Sequence, residues 1–517
     1  MSLGTREQIG LDKYVSLRYK QNVCSILYPE RFTMSKTAIL KSKPKSKPKA
    51  PGKRRRFNKA TRKERQAKIE PPPLTPDQQV MSQLLPGEKL KALARSRNAG
   101  DLRERKLTCT MFFWMAILAF GPGGPITLHK VLTYALVAGV MAGVGTLQAL
   151  RSKEAVSENF RERPWQFFEA VLQYLLMAYA ALWSQLAGQP NLEVVRELHI
   201  LLIDATVMRV AHRLIDVFPA SANGKCKDWA AVKLHTSFRL FRGVPEVLAL
   251  TAQKKNERKI SFLRPLGEAV LYIFDLGYWT YALFDTIIDR QQHFISRLRA
   301  DCNPRLLEVY VGDPKWVGQR LKDIVLKGRE IDCLVNVSSA NTQMRHTVRL
   351  VGQWIAKDQC WHLYITSLVA WQKYPLALII DLYRLRWQIE ILFRNLKHVL
   401  RMANFVSTTE NGIRIQMYAA LIHYMLTHLI ILKAMQKTGR PLEDFSIPYC
   451  LEAVQQVLQQ AGQLVLKGQA PNWDELEHLM VQAVIALGLR PNRKRKPLVT
   501  KVKARLRRTA PLPAGGP

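Results

Sequence analysis

The sequence predicts an α/β fold in which a mixed sheet is interrupted by a mainly β insertion and preceded by a helical segment. Three observations predict it. Residues 198–299 alternate apolar strand-like runs with one helical run, residues 301–365 hold four strand candidates, and residues 76–190 carry long apolar stretches of helical period. Strands, then a helix, then a further strand imply an α/β layer.

Taken in order, residues 1–75 read as a basic arm. The stretch "KTAILKSKPKSKPKAPGKRRRFNKATRKERQAKIE" over 36–70 is Lys/Pro-rich and then Arg-rich, with too little apolar surface to fold alone. Met34 offers a second start of translation. Residues 76–195 read as helical, with Ser157 as a candidate N-cap and Gly188 with Pro190 ending the last helix. Within them, "VLTYALVAGVMAGVGTLQAL" over 131–150 carries no charge for about the length that spans a bilayer. Its Gly and Ala dilute that apolarity, so a buried helix and no membrane contact are expected.

The texture changes at about 196. "LHILLIDATVMRV" is a strand carrying Asp204, and "WAAVKLHTSFRL" and "PEVLALTA", joined through "FRG", read as a hairpin. "AVLYIFDLGYW" ends its apolar run at Asp275, "YALFDTIIDRQQ" is helical, and "HFISRLR" is a strand, which closes a first core part over 196–300. The insertion, 301–365, offers "LLEVYVG", "IDCLVNVSS", "HTVRLVGQWI" and "WHLYITSLVA" as strands around a short helix near "WVGQRLKDIVLKG". A second core part, 366–435, holds "YRLRWQIEILFRNLKHVLR" and the long apolar helix "IQMYAALIHYMLTHLIILKAMQ". A C-terminal helical segment (436–489) and a basic tail (490–517) follow. At 517 residues the chain is too long for one ordinary core, and about two to four domains are expected.

A formal net charge of +38 implies a polyanionic partner, most simply nucleic acid, whose phosphates release counterions on binding, with a membrane surface as the weaker alternative. The helical segment 76–195, between a basic arm and the α/β core, then suits DNA binding. Seven scattered cysteines without a C-x-x-C spacing argue for a reducing compartment and against a zinc site or a disulfide framework. The first residues lack the apolar region of a signal peptide.

Chemistry enters with the segment 383–401. Wound as a helix, it gathers Tyr383, Arg386, Glu390, Arg394, Lys397 and Arg401 into one stripe, opposite an apolar face of Leu385, Ile389, Leu392, Phe393, Leu396 and Leu400. A solvated face with an i,i+4 salt bridge would explain the charges alone. Asp204 and Asp275, however, lie in or at the end of apolar strands, where a carboxylate is costly unless paired or bound to a cation. Three acids brought together would repel, and Mg²⁺ or Mn²⁺ relieves this through hard oxygen ligands. Two such ions about 4 Å apart could drive phosphodiester chemistry, with Arg386, Arg394 and Lys397 on the scissile backbone and Arg401 as a further phosphate candidate.

The spacing Tyr383, two residues, Arg386, three residues, Glu390, six residues, Lys397 matches the Y(2)R(3)E(6)K signature, and the chain thereby resembles the bacterial insertion-sequence DDE transposases of the IS-four family. "LLIDATVMRV" is similar to that family's first-Asp block and "FDLGY" to its second. The likeness covers about 195–435. It implies an RNase H-like core, Asp204, Asp275 and Glu390 as a metal-binding catalytic triad with two ions, and contacts from Tyr383, Arg386 and Lys397 to transposon-end phosphates. It also implies binding to terminal inverted repeats, 3′-end cleavage, strand transfer into target DNA, a homodimeric synapse, and a bacterial, cytoplasmic, nucleoid-associated protein. Asp285 competes with Asp275, but falls in the following helix. Trp316, Trp354 and Trp361 are candidates to support a flipped base. Trp279, Trp371 and Trp387 read as packing, and His235 as a strand histidine. A catalytically silent DNA-binding descendant and a structure-specific nuclease on the same core share these residues.

Overall fold

Apolar residues at helical spacing build the first layer: α1 (Gly87–Ser96), α2 (Cys109–Ala119), α3 (Leu128–Thr133), α4 (Ala135–Met141), α5 (Lys153–Glu162) and α6 (Gln166–Leu186). The computed structural model describes residues 85–101, 107–142, 152–186, 199–221, 229–255, 262–265, 268–326, 328–338, 342–467, 469, 472–490 and 496–509. The arm over 1–75 lies outside them, as do Gly188, Pro190, Cys24 and Cys226. Thr108, Thr127 and Ser152 cap α2, α3 and α5 by accepting a backbone N–H three residues on. Ser152 thus takes the role expected of Ser157, which lies inside α5.

The run 131–150 is not one helix. α3 and α4 meet at Tyr134, whose φ of −86° and ψ of 2° leave the helical region, and whose hydroxyl accepts a 2.6 Å bond from the buried Gln455 amide. Residues 143–150 lie outside the described residues. α6 and the helix Glu410–Thr438 are the two described helices long and apolar enough to cross a membrane; here they pack on each other. The first layer does not close on a core of its own, because its apolar residues join one cluster with those of 410–506. Buried Arg163 ties the layer internally, donating to Ala99 O, Asn159 Oδ1 and Asp101 Oδ1.

Alternation along β1 (His199–Arg209) decides which side of the sheet becomes reactive. Ile200 and Leu202 join the helical core on one face, and Leu201 and Ile203 join a second core on the other, as the two-residue period requires. Asp204 shares the parity of Leu202 and so faces the helices. β2 (Ala231–Arg239) and β3 (Val244–Ala252) form the antiparallel hairpin beside it, turning at Gly243 with φ +69°. β4 (Val270–Phe274) and β5 (His293–Arg297) run parallel to β1, with α7 (Tyr281–Asp289) between them. Ile203 pairs with Phe274, so one residue further Asp204 and Asp275 come side by side.

β6 (Arg305–Val311), β7 (Glu330–Asn336), β8 (Val348–Ile355) and β9 (Cys360–Thr366) extend the same sheet through an antiparallel β5–β9 pair, in the order β3-β2-β1-β4-β5-β9-β8-β7-β6. The short helix expected near Trp316 is instead two 3₁₀ turns, Pro314–Trp316 and Leu321–Asp323. Gly312 (φ +138°) and Gly318 (φ +84°) break any helix there, and the Trp316 ring fills the space a Gly312 side chain would need. Arg349, fully buried, pairs with Asp332 across β7–β8 and donates to Leu368 O and Tyr374 O, clamping the insertion to the segment that leads into the next helix.

That helix is α8 (Leu376–Arg384), followed by α9 (Trp387–Arg394), a π turn (Asn395–Val399), α10 (Glu410–Thr438), α11 (Ile447–Leu466), α12 (Trp473–Ala483) and α13 (Leu498–Thr509). The stripe over 383–401 therefore does not lie on one straight α-helix. Bonds from Arg386 N to Tyr383 O, Gln388 N to Leu385 O and Ile389 N to Arg386 O tighten the α8–α9 junction to three-residue turns, and the π turn widens the far end. The uniform winding expected from the sequence is thus interrupted on both sides of Glu390. Arg401 sits beyond the π turn with φ +55°.

Candidate active site

Three elements deliver three acids to one place: β1 brings Asp204, the end of β4 brings Asp275, and α9 brings Glu390. Their meeting point is the Arg386 guanidinium. It lies 3.2 Å from Asp204 Oδ2, 4.0 Å from Asp275 Oδ2 and 2.7 Å from Glu390 Oε1. The tightened α8–α9 junction places Arg386 one turn before Glu390, so both face the strand ends together. Asp204 Oδ1 also accepts the Ala205 N–H at 2.7 Å, and Asp275 Oδ1 accepts the Leu276 N–H at 2.8 Å while capping a 3₁₀ turn.

Burial dominates the electrostatics. It pushes the Asp204 carboxyl up to about 7, against the Ala205 hydrogen bond and the Arg386 charge, with Asp275 and Glu390 adding to the rise. Glu390 is also raised by burial, with Arg386 opposing and Asp275 reinforcing. Burial works against the charge of Arg386, but Asp275, Tyr383, Asp204 and Glu390 outweigh it and hold its pKa above the ordinary value. Asp204 and Glu390 thus favour a proton or a cation over bare charge.

Among the described residues no three His, Cys, Asp or Glu side chains form a ready metal cage; these acids meet on a guanidinium instead. The donor set still fits a hard divalent ion. It consists of carboxylate oxygens only, and the point all three reach already accepts the positive charge of Arg386.

The other stripe residues divide. Lys397 Nζ donates to Val207 O of β1 at 2.9 Å, and burial lowers its pKa. Tyr383 packs against Tyr364 with ring centroids 4.6 Å apart, and burial pushes its hydroxyl up to about 12. Arg394 and Arg401 are exposed. Asp285 does not join the site: it is buried in α7 and accepts the backbone N–H groups of Arg345 and His346, fixing the loop before β8. Its surroundings explain its burial without chemistry.

His235 bonds Thr251 Oγ1 within the hairpin. Of the tryptophans, Trp279 is core, stacked edge-on to Phe284. Trp316 is buried against Gly312, and Trp354 and Trp361 pair edge-on across β8–β9. Trp387 and Trp371, expected to pack, are 52% and 43% exposed. Trp387 directly follows Arg386, and Trp371 stacks on Tyr310 at 5.6 Å. Their exposure was hidden in the sequence, because it depends on the interrupted winding of α8–α9 and on the loop before α8.

Comparison with known proteins bears on the family. The family model described as "Transposase DDE domain" matches residues 196–426, which span all three acids. A putative transposase, y4zB, of Sinorhizobium fredii is 27% identical over 264 residues, covering 48% of this chain and 67% of the relative. The transposase for insertion sequence element IS231F of Bacillus thuringiensis subsp. israelensis is 23% identical over 344 residues, covering 57% of this chain and 69% of the relative. A cryo-EM structure of the piggyBac transposase synaptic complex with hairpin DNA matches 85% of this chain and 84% of its own at 9% identity and a TM-score of 0.36, a likeness too low to bear on the site.

Proposed function

From the premise that this chain is an insertion-sequence DDE transposase, an enzyme that cuts and joins DNA, we propose its finer reading: a member of the IS-four branch that binds the terminal inverted repeats of its element, cleaves at the 3′ ends and joins them to target DNA. The observation that carries this reading is the convergence of Asp204, Asp275 and Glu390 on one cation. Further support comes from strand order: a three-stranded antiparallel β3-β2-β1 meander beside two strands parallel to β1 suits an RNase H-like core, into which β6–β9 are inserted.

Asp204, Asp275 and Glu390 would hold Mg²⁺ or Mn²⁺, two ions in the full site. Bound there, the metal supplies charge neutralisation and an activated oxygen for phosphodiester attack. The chain's own residues do the rest. Lys397, anchored on β1 yet with two further N–H donors, and exposed Arg394 and Arg401 offer charge to the transposon-end backbone. Arg386 holds the acids together and carries a guanidinium able to turn to a phosphate. Tyr383, kept protonated by burial, donates rather than ionises. The helices of 76–195 and the arm over 1–75 would engage the DNA, and a homodimer would pair two ends in the bacterial cytoplasm at the nucleoid.

A strand-transfer assay tests this. A duplex bearing the cognate end with a free 3′-hydroxyl, incubated with supercoiled target and Mg²⁺, is expected to give joined product. Cleavage of an uncut end without joining would favour a nuclease, and binding with neither reaction would favour a silent descendant.

A further inference from the structure

The basic tail is not only a tail. Residues 498–509, "LVTKVKARLRRT", form α13, which contains no acidic residue. It buries Val499, Val502 and Leu506 on one side, and two ion pairs fix it in place. Lys503, itself largely buried, pairs with buried Glu443. Arg505 pairs with Asp381 of α8 and donates to Ala377 O at 3.3 Å.

Lys501 and Arg508 flank the anchored Arg505 at the spacing i, i+4, i+7 and so share one stripe with it; all three are exposed. Asp381 also takes Arg384 at 3.3 Å, so one carboxylate answers two guanidiniums and the junction keeps a net positive charge. Arg384 is 63% exposed. A basic track therefore runs from Arg508 through Arg505 to Arg384, two residues before Arg386 in the chain.

We propose that this track is a second duplex-DNA surface, which grips backbone phosphates beside the cleavage site and is separate from the Glu390 stripe. It rests on the transposase reading and specifies where the substrate runs. Seven residues of helix span roughly 10 Å, about three phosphate steps along one strand, so Lys501, Arg505 and Arg508 reach phosphates within one short run of the backbone. Arg384 is roughly 9–12 Å along the chain from Glu390 across the tightened junction and the α13 stripe adds roughly 10 Å, which sets the contacted phosphates roughly three to six base pairs from the scissile one. An acidic protein partner fits less well, because the anchoring acids Glu443 and Asp381 belong to this chain and the stripe has the straight, evenly spaced form of a backbone contact.

The test is the salt dependence of end-duplex binding for the full chain and for the double variant Lys501→Ala/Arg508→Ala, with thermal unfolding as a control. Neither residue anchors α13, so the unfolding midpoint is expected to stay unchanged. The slope of log K against log salt is expected to fall by about 1.8, two phosphate equivalents. Replacing phosphates three to six base pairs from the cut by neutral methylphosphonates is expected to weaken wild type more than the double variant, which keeps Arg505 and Arg384. An unchanged slope with equal methylphosphonate sensitivity overturns the track while leaving the transposase reading standing. Wild type that shows no salt-dependent binding overturns both. A variant that changes self-association and not the slope overturns the track in favour of a protein contact.

Discussion

Arg386 is the residue on which the site turns. Its guanidinium touches three acids that would otherwise repel one another, so it sets their spacing as much as it offers a phosphate contact. Arg386→Gln keeps some hydrogen bonding and removes the charge. It is expected to cost roughly 1–3 kcal/mol of stability in EDTA, and Mg²⁺ or Mn²⁺ is expected to raise the unfolding midpoint of the variant more than that of wild type. Equal metal-induced shifts in the two would show that the arginine does not neutralise the acids. Much of this was legible beforehand. Asp204, Asp275 and Glu390 stood out as acids in apolar settings, and parity along β1 and β4 then accounts for their shared face. The bridging role of Arg386 was not legible, because uniform winding put it on a stripe with Arg394 and Arg401, and only the tightened turn at 385–389 swings it onto the strands.

Among elements, the insertion is joined to the core by continuity of the sheet, by Asp285 of α7 holding the loop before β8, and by Arg349, which an ion pair inside the insertion orients. Arg349 and Asp332 are both almost fully buried, and Arg349 also holds the carbonyls of Leu368 and Tyr374 just before α8. Asp332→Ala would leave that guanidinium unpaired in the interior, an expected cost of about 3–5 kcal/mol in chemical denaturation, whereas a loss below about 1 kcal/mol would mean the pair is solvated. The strands themselves were legible, since every run from β1 to β9 shows apolar character bounded by turn residues. The helices were less so. The 131–150 run looks like one span in the sequence and is broken at Tyr134, whose hydroxyl accepts a bond from Gln455, 321 residues away, a contact no local pattern announces. The charge of 490–517 likewise masked α13, whose three buried apolar residues are few beside its lysines and arginines.

At the scale of the whole molecule, one core joins the N-terminal helices to α10–α13 and traps His423 and His428 of α10 without charge, while His235 is held neutral in the β2–β3 hairpin on the other face of the sheet. Burial pushes His235 and His423 down to about 4 and His428 down to about 3. Each folded value lies below the ordinary 6.5, so the unfolded chain binds more protons below that pH. Their contribution is full above about 6.5 and is lost as pH falls toward 4. Asp204 and Glu390, raised by burial, act with the opposite sign, so the comparison is with His428→Gln: its unfolding midpoint is expected to fall less steeply between pH 6.5 and 4, and identical slopes would mean His428 is protonated when folded. The central claim concerns Asp204, Asp275 and Glu390 acting as one metal-dependent centre. Its most direct test is cleavage of a labelled duplex carrying the element end, with Mg²⁺ or EDTA, by wild type, Glu390→Gln, Asp275→Asn and Asp285→Asn. The account predicts cutting at the element boundary by wild type and Asp285→Asn only, and only with metal; cutting by Glu390→Gln or Asp275→Asn, or in EDTA, would contradict it.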